Sequence, residues 1–375
     1  MGKRHVPHTT RRIDRRGFLG LAGVTFLAAC APTPPLLTVL PTARPTRAPR
    51  TTPISFPEDE WPTSSPGAQG IEPQGVADTV DKIGRERLPV HSFLLIRNGT
   101  LVEEKYFSGF KRETKHALRS CTKSVTSALL GIAIQDGVIQ GVDQKVLDFF
   151  PEKADKAKDK NLAELSIEHL LTMTDGHQKE ISPDPADTGW NWVDLFFDQS
   201  FAHKPGTVFF YDSFAPYMVA AILQKATGKT ALEYLRERLF NPMGIRDVAW
   251  PADAQGINYG NSHMELRPVD MAKLGYLFLN EGNWNGQQLI PADWVAKSTA
   301  KHADTQGKMN SAEDFGYGYF WWMNGFEGFS AHGSGGQYIF VIPGLDLVAV
   351  FTGGFELKEF PTPYTLMRTL IIPAI

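Results

Sequence analysis

Cysteine is nearly absent from this chain, with only Cys30 and Cys121 in 375 residues. A disulfide framework is therefore excluded if either one has another role. No His-Glu-x-x-His and no cluster of cysteines and histidines at ligand spacing occurs, so neither a metal nor another cofactor is required. The Gly-x-Ser-x-Gly elbow of α/β-hydrolases is missing as well. Charge of one sign is not in excess: 38 Lys and Arg stand against 41 Asp and Glu, a net of −3. Residues 1–66 hold nine of the basic and four of the acidic groups, which leaves 29 basic against 37 acidic residues in the rest. A domain at −8 is a poor binder of nucleic acid. Apolar residues make up 42%, and a core drawn from about 300 residues suits one large domain or two interleaved lobes.

The first residues read as an address. Arg15-Arg16-Gly17-Phe18-Leu19 resembles a twin-arginine export motif. The apolar run Gly17–Ala29 behind it is too short for a confident membrane span. It ends in Leu27-Ala28-Ala29-Cys30, which resembles a bacterial lipoprotein processing box. The expectation is an export signal over 1–29, lipidation of Cys30, and an extracytoplasmic protein held to the membrane by its lipid alone. Ten prolines and seven threonines then fill residues 31–66. Such composition cannot bury a core and predicts an extended tether over 30–70, reaching up to ~100 Å. The folded domain is expected over 71–375.

Ser120-Cys121-Thr122-Lys123 carries the chemistry. It opens an apolar stripe at helical spacing, Val125, Ala128, Leu129 and Ile132, that stops at Gly137. Ser120 and Lys123 then share one face of a first helical turn. A serine hydroxyl is a poor nucleophile until a neighbour takes its proton, and an amine can do so only when uncharged. An ordinary lysine, with a pKa of about 10.4, is neutral in roughly one molecule in a few thousand at pH 7. Burial at a helix N-terminus disfavours the ammonium, and the same terminus offers N–H groups to an oxyanion. The spacing alone is weak, since Ser298-Thr299-Ala300-Lys301 shares it. Position separates the two: the run from Ser120 follows two strand-like runs, Ser92–Arg97 and Leu101–Phe107, joined by an Asn98-Gly99 turn.

Ser120-Cys121-Thr122-Lys123-Ser124 with Gly131-Ile132-Ala133 resembles the serine β-lactamase and penicillin-binding-protein superfamily, in its class C-like branch of esterases, D-aminopeptidases and 6-aminohexanoate-dimer hydrolases. Supporting segments stand in the expected order: Glu168–Gly176, Pro205-Gly206-Thr207 before Tyr211-Asp212-Ser213, Leu239–Ile245, Asp270–Gly275 and Ala331–Gln337. The resemblance implies a β-lactamase/DD-peptidase-like α/β (α+β) fold. Strand-like runs at both ends (also Tyr317–Met323, Tyr338–Ile342 and Leu347–Phe351) with helices between point the same way. They predict an antiparallel sheet completed by both termini, flanking helices and an inserted helical lobe. Helices are expected at Gly75–Leu88, Tyr217–Ala226, Ala231–Phe240 and Tyr364–Ile372.

The resemblance also implies roles. Ser120 is the nucleophile and Lys123 its base; Tyr211 shares the proton traffic, and Ser213 closes the hydrogen-bond set with Lys123. The N–H groups of Ser120 and Ser334 form the oxyanion hole. Where penicillin-recognising members carry Lys-Thr-Gly on the strand edging the site, this chain has Ala331-His332-Gly333. A substrate-gripping cation is therefore missing, and His332 either supplies part of that role or lines the strand. That favours a neutral small-molecule ester or amide over a β-lactam. His177, Trp190 and Trp192 in the loop Gly176–Lys204, with His263, are candidate substrate contacts; Cys121 is expected to be a small core side chain. The alternatives are a non-catalytic cell-surface binding module on the same fold and a true β-lactamase or D,D-peptidase. Nothing in the sequence sets the oligomeric state.

Overall fold

The Asn98-Gly99 turn closes as expected. In the computed structural model its residues have φ of 52° and 78°, joining β1 (Val90–Arg97) to β2 (Thr100–Tyr106) as an antiparallel hairpin. These left-handed angles are those that Asn-Gly adopts at low cost. The structure describes residues 56–57, 60–305, 315–356 and 362–375, without the side chains of 157 and 158. The export signal, Cys30 and most of the tether lie outside the described residues.

Helix α1 (Pro73–Arg85) opens with proline at its first position, where a missing N–H costs nothing. After the hairpin come α2 (Thr122–Gln135), α3 (Ile167–Leu171), α4 (Trp192–Asp198), α5 (Phe214–Thr227) and α6 (Pro268–Leu279). The chain then returns to the sheet as β3 (Trp322–Asn324), β4 (Gly328–Gly333), β5 (Gln337–Ile342) and β6 (Leu347–Gly353). The sheet order is β2-β1-β6-β5-β4-β3, antiparallel throughout. Leu94 of β1 faces Val350 of β6, so both ends of the chain do complete one sheet.

Period-2 alternation divides the core. Val348 and Val350 face the helical lobe, which includes α2 and α6; Leu347, Ala349 and Phe351 face α1 and the C-terminal helix. Within α2 every residue from Thr122 to Ala133 is buried, as expected of a helix packed on all sides. Among the described residues no helix is long and apolar enough to cross a membrane.

Three expectations need correction. The predicted strand Tyr317–Met323 is a strand only over Trp322–Asn324, and Gly328–Gly333 adds a full strand before it reaches β5. The last helix spans Thr362–Leu366 and continues as a wider turn over Met367–Ile371. The tether ends earlier than residue 70, because Phe56 and Trp61 pack on Tyr276, and Phe56 also on Trp284. Leu101 also donates its N–H to Pro62 O, and Ser64 donates to Leu101 O. Two aromatics inside a Pro/Thr-rich run carry enough apolar area to dock where their neighbours cannot.

Gly131 faces the indole of Trp294, and a Cβ there would stand 2.3 Å from Cγ. Gly131→Ala is expected to destabilise the domain by about 1–2 kcal/mol, overpacking outweighing a helix-propensity gain of roughly 1 kcal/mol. A lower urea midpoint at unchanged slope is the expected readout; an unchanged or higher midpoint refutes it.

Candidate active site

A short helical turn, Arg119–Cys121, leads into α2 and carries Ser120 half-exposed, while Lys123 in the next turn is 2% exposed. Lys123 Nζ lies 2.9 Å from Ser120 Oγ and 2.9 Å from the carbonyl oxygen of Asn261. Burial lowers the amine's pKa to about 7, against the opposing pull of Glu180 and Asp212. A large share of the amine is therefore neutral at neutral pH, where it can accept the Ser120 proton instead of only donating to it.

Tyr211 closes the group. Lys123 Nζ stands 5.0 Å from its ring centroid. Burial pushes the phenol above its usual range, and a hydrogen bond from Ser120 acts in the opposite sense. Its ring stacks on Trp322 at 5.6 Å and 28°, and Trp322 stacks on His332 at 5.5 Å and 10°. The His332 Nε2 pairs with Ser330 Oγ at 2.7 Å, and burial lowers the imidazole's pKa to about 3. His332 is thus uncharged at neutral pH and lines the strand; it does not replace the missing cation. The expected bond between Ser213 and Lys123 is also absent. Ser213 Oγ donates instead to Glu180 Oε1 at 3.4 Å.

Gly333, the last residue of β4, sits against the turn before the nucleophile: a Cβ there would lie 2.2 Å from Leu118 O. Gly335 and Gly336, with φ of 81° and 85°, turn the chain back into β5, and Gln337 pins that turn by donating to Gly353 O at 2.7 Å and Gly335 O at 3.2 Å. Ser334 is exposed at this corner. Four non-glycine residues near the site hold left-handed backbone: Arg119 (φ 51°), Met173 (57°), His263 (68°) and Phe320 (61°). Each costs on the order of 1 kcal/mol, and two of them are held by hydrogen bonds. Phe320 O accepts from Ser124 Oγ at 2.7 Å, and Met173 O accepts from Phe210 N at 2.8 Å.

The candidate substrate contacts divide. His177 is 1% exposed between the rings of Phe196 and Phe201, and Trp192 is 3% exposed against Phe214. Neither can reach a ligand at Ser120, so both are corrected to interior residues. Trp190 is 52% exposed, and His263 is half-buried; burial lowers its pKa, against the pull of Asp184 and with the help of Arg119 and Lys123. Cys121 is buried, donates to Gln337 O at 3.4 Å, and has its thiol pKa raised by burial. Two members of the site went unforeseen. Glu180, from the same loop, acts on both Lys123 and Tyr211, and the main chain of Asn261 binds the lysine. Neither a lone loop glutamate nor a main-chain carbonyl leaves a sequence signal.

Comparison with known proteins places the chain in a family and a fold. Residues 76–353 match the family model described as Beta-lactamase. The chain is 26% identical over 301 residues to the 6-aminohexanoate-dimer hydrolase of Paenarthrobacter ureafaciens, covering 73% of this chain and 74% of that one. A putative 6-aminohexanoate-dimer hydrolase from Bacillus anthracis superposes with a TM-score of 0.66 at 20% identity, over 88% of this chain and 90% of the other. A family VIII carboxylesterase does so at 0.66 and 15%, over 84% and 99%. With the family model spanning well over half of its length, and the sheet, lobe and Ser-x-x-Lys helix in their expected places, the chain belongs to the β-lactamase family.

Proposed function

We propose that this protein is a serine hydrolase that cleaves a neutral small-molecule ester or amide through an acyl-enzyme. The carrying observation is the buried Lys123 amine 2.9 Å from Ser120 Oγ, its pKa lowered to about 7. Ser120 Oγ attacks the carbonyl carbon as its proton passes to Lys123 Nζ. The carbonyl oxygen takes the negative charge and is held by the N–H groups of Ser120 and Ser334. Lys123 and Tyr211 return the proton to the leaving oxygen or nitrogen, the scissile bond breaks, and water then releases the acid by the same route. The uncharged Trp322–His332 stack on the strand edging the site favours substrates without a carboxylate at that end. Trp190, exposed, and His263, which feels the Lys123 charge, are the candidate substrate contacts. Export, lipidation of Cys30 and residence on the outer face of a membrane complete the proposal, resting on the Leu27–Cys30 processing box.

A fluorophosphonate probe is expected to label Ser120, read by mass spectrometry; a folded protein left unmodified would instead support the binding-module alternative. Lys123→Ala is expected to lower turnover of the best substrate by about 10²–10⁴, the range of general-base catalysis, with little loss of stability. Near-normal rates in that variant would remove the lysine from the mechanism. A panel of p-nitrophenyl esters, D-amino acid amides, linear 6-aminohexanoate amides and nitrocefin then locates the substrate class, with nitrocefin expected to be the poorest.

The pH profile follows from the same amine. Its working form is deprotonated, so kcat/KM should rise with pH through an apparent pKa near about 7 and level off above it. A limb centred near 10, where an ordinary lysine titrates, would contradict the burial argument.

A further inference from the structure

We propose that Asp175, His177 and Asp212 form a buried structural site for a divalent transition-metal ion of the zinc type, behind the proposed catalytic tyrosine. The inference does not rest on the acyl-enzyme reading. The three side chains are 0%, 1% and 0% exposed, and one ligand atom from each lies within 4.8 Å of the others. His177 Nε2 has no hydrogen-bond partner, and Nδ1 meets Asp175 Oδ2 at 3.4 Å without hydrogen-bond geometry. A buried imidazole nitrogen left unpartnered is unusual, because burial normally comes with compensation.

The local chain aims these atoms inward. Asp175 Oδ1 accepts from His177 N at 3.2 Å, and Asp212 Oδ1 accepts from Phe214 N at 2.9 Å. Each carboxylate is thereby fixed through one oxygen and presents the other to the cluster. Phe196 and Phe201 hold the imidazole plane, at ring-centroid distances of 4.9 and 4.8 Å. Between the two ligands of the Asp-Gly-His turn, Gly176 has φ 95°, and a Cβ on it would strike His203 O at 2.4 Å.

Chemistry selects the ion. His177 Nδ1 and Asp175 Oδ2 are 3.4 Å apart, close to the about 3.4 Å that separates two tetrahedral ligands held at zinc bond lengths. Two carboxylates neutralise a divalent charge, and an imidazole with only three side-chain ligands disfavours calcium or magnesium, which take six or more oxygens. A metal would tie Tyr211-Asp212-Ser213 to the Asp175-Gly176-His177 turn through the three side chains.

The test is metal binding by the full-length chain after treatment with a chelator. Equilibrium dialysis against Zn2+ with elemental analysis should return about one ion per chain together with a raised Tm, and Co2+ should give the intense visible bands of a tetrahedral site. Asp212→Asn and His177→Gln should each weaken Zn2+ binding at least about tenfold. Should both variants fail to fold, the Co2+ spectrum of the natural chain decides the matter alone. Uptake below about a tenth of an equivalent with an unchanged Tm, lack of tetrahedral Co2+ bands, or variants that bind as the natural chain does would each overturn the site. Fluorophosphonate labelling of Ser120 is scored separately, so failure here leaves the hydrolase reading standing, and the converse holds.

Discussion

Keeping one amine dry is the constraint around which this structure is arranged. An ammonium in water is strongly solvated, and moving it into a protein interior costs several kcal/mol unless it sheds its proton. Lys123 is placed to shed it: the group is 2% exposed, and its contacts are a hydroxyl and a carbonyl rather than a carboxylate. A carboxylate in place of that main-chain carbonyl would form an ion pair and return the pKa toward that of an ordinary lysine, and the base would be lost. Glu180 and Asp212 do act in that sense, yet neither hydrogen-bonds the amine, and burial prevails.

The surrounding fold holds that arrangement by close approach. α2 is buried over Thr122–Ala133, so its N-terminal turn cannot drift. The end of β4 presses on Leu118 O across a gap that only glycine fits, and this fixes the distance between the sheet edge and the turn bearing Ser120. The left-handed Met173 and Phe320, both buried, are what such over-determination permits: locally unfavourable backbone persists where packing on all sides leaves no alternative. Catalytic geometry and stability draw on the same contacts, a reason for a site to sit where strands, lobe and buried helix converge.

How much of this was legible depended on the kind of signal. Asn98-Gly99 fixed its turn because two left-handed residues in succession are acceptable to few pairs. The Ser120–Lys123 pairing was legible because helical spacing dictates it, and the sheet built from both ends followed from alternating apolar runs. Side-chain destination was not. His177 and Trp192 read as loop residues available to a ligand, and both turned inward, since a loop rich in aromatics can fold its rings into the lobe. Trp190, two residues away, did not. Ser213 was assigned to Lys123 by resemblance, but the amine meets a main-chain carbonyl from Asn261, and main-chain partners carry no residue-type signature. The end of the tether was misplaced because proline content outweighed two aromatics in the reading, while burial is decided by the aromatics.

The resemblance to penicillin-recognising proteins is weakest on the sheet edge, where they carry Lys-Thr-Gly. Ala331-His332-Gly333 occupies the expected strand, and the imidazole is the only member that could carry charge. Its burial lowers the pKa to about 3, and its faces are taken up by Trp322 and Tyr338. Protonating it at neutral pH would cost about 1.4 kcal/mol for every pH unit above that value, more than a solvent-screened carboxylate returns. This edge of the site is therefore uncharged at neutral pH. The same stack supports the plane of Tyr211, so placing a lysine at residue 332 would exchange the ring that supports the tyrosine for a flexible charge. Affinity for carboxylates and placement of the phenol are in conflict at this position, and the sequence settles the conflict in favour of the phenol.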